Sequence, residues 1–448
     1  MTVDAILVNA KIFIHGSVFE GGLAIDEGKI VKVAKASNLP NASSRVNIEG
    51  NLILPGLIDA HVHLRDQKLA YKESFATGTA AAVAGGVTCV IDMPNNKPIT
   101  KDLFSFRTRM QFAKKRIFTN VAFNSAFPEK IQEITEIVKA GAVGFKVYLS
   151  HNVGGINVND DEALQLALNE AANCGVPVAV HAEDNRLLTE RKMEVKSLDL
   201  KDFKAFQFVH SPQVEYRAIK RIVQLAKNSG VHLHFCHVSS SLGLNAVLAS
   251  KSEGLQVTCE VTPHNLLLTD EQYDFFGNFA LTVPPLRGLK DVKALRRALN
   301  CGYIDVVASD HAPHNLSEKQ IKSIWKVSPG VPGLETMLPL LLTQVNMGHL
   351  SLSRLVKVVA EGPAKAFNLA KRGVICLGNW ADLVVVDMNR ESKIDSSIFH
   401  SKAKYSPFDG MHIKGQPVKT FVNGALVMED GNIVVKPGLG KIVTNDLL

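Results

Sequence analysis

Between residues 52 and 308 the chain repeats one unit: a short, almost wholly apolar run of strand length, a loop, and a longer segment of helical character. The apolar runs are Leu52 to Ile58, Val87 to Met93, Asn120 to Phe127, Val143 to Leu149, Val176 to Val180, Val231 to Cys236, Gln256 to Val261 and Ile304 to Ala308. Among the helical segments are Phe75 to Ala84, Gln132 to Lys139, Glu162 to Asn173, Gln213 to Lys227, Ser241 to Ser250 and Lys290 to Asn300. Strands that are apolar along both faces are covered on both, as parallel strands are when helices cross over them. Eight such strands predict an α/β fold whose sheet closes on itself, a (β/α)8 TIM-type barrel. The chain ends follow a different pattern. Short β-like runs with glycine turns fill residues 1–50 and return in Ala381 to Val386, Thr420 to Val422 and Ala425 to Val427. The ends together predict a small β-sandwich domain (1–50 and 371–448) beside a barrel domain (51–370).

In such a barrel, chemistry gathers where strands end and loops begin. The first strand end offers His61 and His63, two apart and so on one strand face. The fourth offers Lys146, the fifth His181, the sixth His237 and the eighth Asp310. Imidazoles and a carboxylate converging on one rim suit zinc or a similar divalent ion. His232 and His234 share the spacing of His61 and His63 but stand near the start of their strand, which makes them packing or supporting residues. Lys146 is the lone lysine of an apolar run, and a buried ammonium is costly unless paired or neutralised. Two readings stay open for it: an ion pair with an acid, or a carbamate formed with carbon dioxide that bridges two cations. Arg65 continues the face of the two histidines, and its planar fork suits a carboxylate. Asn95, at the second strand end, and His314, four residues past Asp310, add hydrogen-bonding groups. Gly154 and Gly155 make Val153 to Asn159 the best candidate for a lid.

The net charge of +7 comes from Lys and Arg spread without a dense basic run, which argues against nucleic acid and for a small anionic substrate. Six cysteines form no Cys-x-x-Cys pair, the pattern of free thiols in a reducing compartment. No apolar run approaches the roughly 18 residues of a membrane span. A cytoplasmic protein without a membrane partner is expected.

Six segments, Asp59 to Asp66, Met93 to Asn96, Gly144 to Leu149, His181 to Glu183, Ser309 to His314 and Pro332 to Leu342, together resemble the amidohydrolase superfamily. Within it the chain is similar to the dihydroorotases over nearly its whole length. The resemblance implies two divalent metal ions, zinc by expectation, one on His61, His63 and Asp310 and the other on His181 and His237, bridged by carboxylated Lys146. It further implies that Arg65, Asn95 and His314 hold the substrate carboxylate and ring, and that the main chain at Pro329 and Gly330 closes on it. The implied reaction is the reversible cyclisation of N-carbamoyl-L-aspartate to L-dihydroorotate in pyrimidine synthesis, with hydroxide on the metals as nucleophile and Asp310 as general base and acid.

Two departures accompany the resemblance. Val283 stands where dihydroorotases often carry Asn or Arg before Pro-Pro-Leu, a contact that Arg287 would have to replace. The segment after Tyr148 also lacks the Thr-Phe pair of the animal enzyme's mobile loop. Allantoinase and dihydropyrimidinase or hydantoinase are the rival activities, and their substrates lack the ring carboxylate. A homodimer and an association with aspartate transcarbamoylase are the protein partners the resemblance allows. A catalytically silent assembly barrel would have shed metal ligands, and this chain keeps all six.

Overall fold

The computed structural model describes residues 2–445. The chain opens with β1 (Val3–Ile14), β2 (Ser17–Asp26), β3 (Lys29–Ala34), β4 (Ala42–Asn47) and β5 (Leu52–Pro55). It then enters the repeating region with β6 (Leu57–Val62), β7 (Val87–Asp92), β8 (Asn120–Ala126), β9 (Gly144–Tyr148), β10 (Val178–His181), β11 (Leu233–Phe235), β12 (Val257–Val261) and β13 (Val306–Val307). It finishes with β14 (Leu383–Lys393), β15 (His412–Val422), β16 (Ala425–Glu429) and β17 (Asn432–Ile433).

Strands β6 to β13 lie side by side in chain order as one eight-stranded sheet, and each resolved pairing is parallel. The sheet closes where the His63 N–H donates to the His311 carbonyl at 2.9 Å and Val62 bridges His311. Alternate residues go to opposite sides, as the pleat requires. Val121 and Phe123 pack outward in the large core shared with the helices, whereas Ala122 joins Ile58, Ala60, Cys89, Ile91, Ala179, Cys236 and Ala308 in a second cluster inside the barrel. Most of the side chains named here are alanines and cysteines, and that leaves room for imidazoles at the rim above them. Helices begin on side-chain caps: Ser74 and Thr77 form a capping box before Phe75–Ala84, and Asp102 and Ser105 do the same before Leu103–Ala113.

The two chain ends build one nine-stranded, largely antiparallel sheet in the order β17-β16-β15-β14-β5-β1-β2-β3, with β4 on β1. One expected strand proves to be two. The run Leu52 to Ile58 divides at Gly56, so that β5 pairs with β1 and β14 in the terminal sheet while β6 starts the barrel. Gly56 passes so close to Thr88 that a Cβ there would meet the Thr88 hydroxyl at 2.3 Å. Continuous hydrophobicity marks both halves as buried, but it does not say in which sheet. All six cysteines are free, and among the described residues no helix is long and apolar enough to cross a membrane.

Candidate active site

A cavity of about 400 Å³ opens at the C-terminal ends of the barrel strands, and His61, His63, Arg65, Asn95, His181, His237 and Asp310 all line it, together with Pro329 and Gly330. His61 and His63 leave β6 toward the Asp310 carboxylate, with Nε2 atoms 3.5 and 3.2 Å from its Oδ1. The three groups can offer ligand atoms within 4.8 Å of one another. His181 closes β10, and its Nδ1 lies 3.0 Å from His237 Nε2. Two buried imidazoles whose ring nitrogens converge so closely suit a shared cation. Asp310 and His237 both hold positive φ, 47° and 35°, a conformation uncommon outside glycine and frequent where function fixes the backbone.

The electrostatics favour the same reading. Burial would raise Asp310, but His61, His63 and His237 hold it well below the usual carboxylate range. Burial also lowers the pKa of His63, to about 4, and lowers those of His181 and His237, which keeps these rings neutral and able to ligate. His61 behaves differently. Burial and Lys146 pull it down, yet Glu260 and Asp310 outweigh them and push it up to about 10.

Lys146 projects from β9 and is fully buried. Its Nζ donates to Cys236 Sγ at 2.7 Å and lies 5.0 Å from the Tyr148 ring centre. Among the described residues no acid pairs with it, as the simpler reading would need. An ammonium without a counter-ion is the costliest way to fill this position, whereas a carbamate between cations is an anion where the site needs one. The donor set therefore fits divalent cations.

Arg65 follows the two histidines in the left-handed region, φ 54°. It stays there because Arg109, buried in the helix Leu103–Ala113, donates from Nη1 to the Arg65 carbonyl at 2.6 Å, while its Nε and Nη2 hold Asp92 Oδ2 at 2.9 and 2.8 Å. The other Asp92 oxygen accepts the Leu64 N–H at 2.9 Å. The Arg65 guanidinium itself is buried, has no ion-pair partner among the described residues, and leaves its Nε without any hydrogen bond.

The remaining expected groups are placed differently. Asn95 reaches the cavity, but its Oδ1 is 2.7 Å from His63 Nδ1 and so orients that imidazole. His314 does not line the cavity but packs beside Arg65, with Nε2 3.5 Å from Arg65 Nη2; the same Nε2 donates to the Pro329 carbonyl at 2.9 Å, and Nδ1 accepts from Lys72 at 3.1 Å. Arg287 does not replace a polar group at Val283. It turns away to the His210 carbonyl at 2.6 Å and the Ser239 hydroxyl at 3.1 Å, and Val283 faces the cavity alone. The segment Val153 to Asn159 is pinned, with Ile156 and Val158 buried and the Gly155 N–H on the Phe127 carbonyl at 2.8 Å. Ser150 and His151 line the cavity instead.

A model of the amidohydrolase family matches residues 52–427. The chain belongs to that family. The L-hydantoinase of Paenarthrobacter aurescens is 34% identical, with 98% of each chain covered. The dihydroorotase of Methanosarcina acetivorans is 34% identical over 98% of this chain and 95% of its own, and that of Pyrococcus furiosus is 35% identical over 98% and 96%. Among solved structures, the L-hydantoinase (dihydropyrimidinase) from Arthrobacter aurescens shares a TM-score of 0.95 at 34% identity, covering 99% of this chain and 100% of that one.

In this amidohydrolase the histidines are held by carboxylates that reading the strand ends missed. Glu260, inside β12, touches His61 Nδ1 with Oε1 and receives the His237 N–H on the same oxygen at 3.1 Å, while Oε2 lies 3.1 Å from His234 Nε2. Glu183 binds His181 Nε2 at 2.9 Å and His210 Nδ1 at 2.8 Å. His234 thus supports the site through Glu260. Outer carboxylates fix the tautomer and aim of ligating histidines. Glu260→Gln is expected to weaken metal affinity about 10- to 100-fold, read as zinc retained after graded chelation. Unchanged retention would refute that role.

Proposed function

We propose that this amidohydrolase acts on cyclic amides, and specifically as a dihydroorotase, opening L-dihydroorotate to N-carbamoyl-L-aspartate and closing it again in pyrimidine synthesis. The observation that carries the substrate assignment is Arg65, a buried guanidinium in the cavity with no ion-pair partner among the described residues and its Nε without a hydrogen bond. Such a group is costly until an anion arrives, and dihydroorotate brings a carboxylate on its ring. The named dihydroorotase relatives support the same choice.

Two divalent ions, zinc by donor chemistry, would sit on His61, His63 and Asp310 and on His181 and His237, with carboxylated Lys146 between them. When bound, such a pair supplies Lewis acidity toward the ring carbonyl and lowers the pKa of water. Arg65 takes the substrate carboxylate and so fixes the ring, while Asn95 keeps an amide nitrogen for a ring carbonyl. Asp310 faces His61 and His63 through Oδ1, which leaves Oδ2 to accept the proton of the attacking water and return it to the ring nitrogen as the amide bond breaks. Its depressed pKa keeps it ionised and ready as the base. In the synthetic direction the same carboxylate takes the proton from the ureido nitrogen.

A second reading has its own observation. The cavity wall also contains Leu188, Phe206, Val283, Ile324, Trp325 and Val327, an apolar lining that would receive the substituent of a neutral hydantoin or dihydropyrimidine. Turnover of L-dihydroorotate, dihydrouracil, a 5-substituted hydantoin and allantoin, by protein loaded with zinc and bicarbonate, separates the two. Dihydroorotate is expected to be opened with the highest kcat/KM; preference for a neutral ring would overturn the assignment.

A further inference from the structure

Two parts of the cavity wall come from loops rather than strands: Leu281 to Pro284, which supplies Val283, and Ser328 to Gly330, which supplies Pro329 and Gly330. Lys319 lies behind both. Its side chain is fully buried, and its ammonium donates to the carbonyls of Leu281 at 3.3 Å, Ser328 at 3.2 Å and Gly330 at 3.0 Å. A lysine carries three N–H donors and no acceptor, so these three carbonyls use all of them. The partners are main-chain oxygens of both wall segments, with no carboxylate among them.

The surrounding bonds close a ring around this ammonium. The Gly330 N–H donates to the Leu281 carbonyl at 2.8 Å, and the Tyr405 hydroxyl donates to the Gly330 carbonyl at 3.1 Å. His314 donates to the Pro329 carbonyl, and the Ser328 N–H donates to the Glu318 carbonyl at 3.2 Å. Every main-chain polar group from Ser328 to Gly330 is therefore engaged. Gly330 has φ +140°, and a Cβ there would meet the Ala312 carbonyl oxygen at 2.5 Å, so only glycine fits this path of the segment. The Gly330 carbonyl already accepts twice, so what remains for a ligand in this segment is the second lone pair of the Pro329 and Ser328 carbonyls, and of these Pro329 lines the cavity.

We propose that Lys319 is a positioning residue of the substrate pocket: it locks the Leu281 and Ser328–Gly330 segments into one wall, so that the Pro329 carbonyl meets a substrate N–H at a fixed place. A lysine suits the task because three carbonyls from separate segments converge on one point, and a neutral side chain of that length has too few donors. The inference rests on the cavity being the substrate site of the proposed ring opening.

The test is steady-state kinetics on zinc-loaded full-length protein. Lys319→Met keeps the stem and removes the donors; KM is expected to rise about tenfold or more with kcat within about threefold and zinc content unchanged. Tyr405→Phe, which removes one donor from the Gly330 carbonyl, raises KM by a smaller factor, and Lys319→Arg recovers part of the loss. A merely structural lysine would lower the active fraction, and so apparent kcat, at constant KM. That result, or an unchanged KM in Lys319→Met, overturns the proposal. Should Lys319→Met fail to fold, Tyr405→Phe decides, and an unchanged KM there overturns it. The wild-type substrate panel is run first. Turnover of a neutral ring but not of dihydroorotate removes the dihydroorotase reading alone, and the KM comparison then uses that ring. A wild type that opens no ring removes both.

Discussion

Arg65→Ala is expected to cut kcat/KM for L-dihydroorotate by about 10²–10³ while leaving that for dihydrouracil within about threefold, because only the first substrate brings a carboxylate to the empty guanidinium. The size follows from burial. A hydrogen-bonded charge pair removed from water loses about 3–5 kcal/mol when one partner is deleted, far more than an exposed pair does. Arg109 and Asp92 hold the main chain of this turn, not the guanidinium, so the variant keeps the geometry of His61 and His63. Arg65→Lys restores the charge but not the fork and falls between the two. Equal losses on the charged and the neutral ring would mean that Arg65 serves the fold of the turn and not the substrate.

Asp310→Asn tests the other half of the chemistry. Removing the group that carries the proton is expected to lower kcat about 10²–10⁴-fold in both directions, while N-carbamoyl-L-aspartate still binds through Arg65. Calorimetric binding within about threefold of wild type, together with unaltered zinc content, would isolate the proton transfer from ligand loss. Asparagine can still offer an oxygen to His61 and His63, whose Nε2 atoms face Oδ1 at 3.5 and 3.2 Å, so the outcome is readable. Substantial residual turnover would place the base elsewhere, Glu183 being the other carboxylate that lines the cavity.

The parts of this site that the sequence revealed share one property: each lies at a place fixed by the repeating period. Once eight strands are counted, the rim is defined, and His61, His63, His181, His237 and Asp310 follow from their positions at strand ends. Glu260 was within reach of the same reasoning that singled out Lys146, since a lone acid in Val257–Val261 is equally costly to bury and stands no deeper in its strand than Lys146 does in Gly144–Tyr148. Arg109 was not legible. Its helix carries several polar residues, and nothing local says that this one crosses to the Arg65 carbonyl. Lys319 follows Glu318 in a four-residue helix that reads as surface, and only the tertiary fold buries it. His314 and Arg287 show the converse limit: a loop residue next to a rim can miss the cavity as easily as line it, because loop direction has no period to betray it.

The division at Gly56 has a consequence in time. β5 lies between β1 and β14, and the segment after β14 returns to the barrel, where Ser401 hydrogen-bonds Glu73 and Tyr405 meets Gly330. Glu73 in turn faces His311, the neighbour of Asp310. On the ribosome, the edge of β5 that β14 will cover therefore waits through the synthesis of more than 300 further residues, and an open edge is a template for wrong partners. The barrel's metal-type ligands are all synthesised before the segment of Ser401 and Tyr405 that braces Glu73 and Gly330. Loading the cations is thus expected to be a late event in the life of the polypeptide, after the last strands have come home.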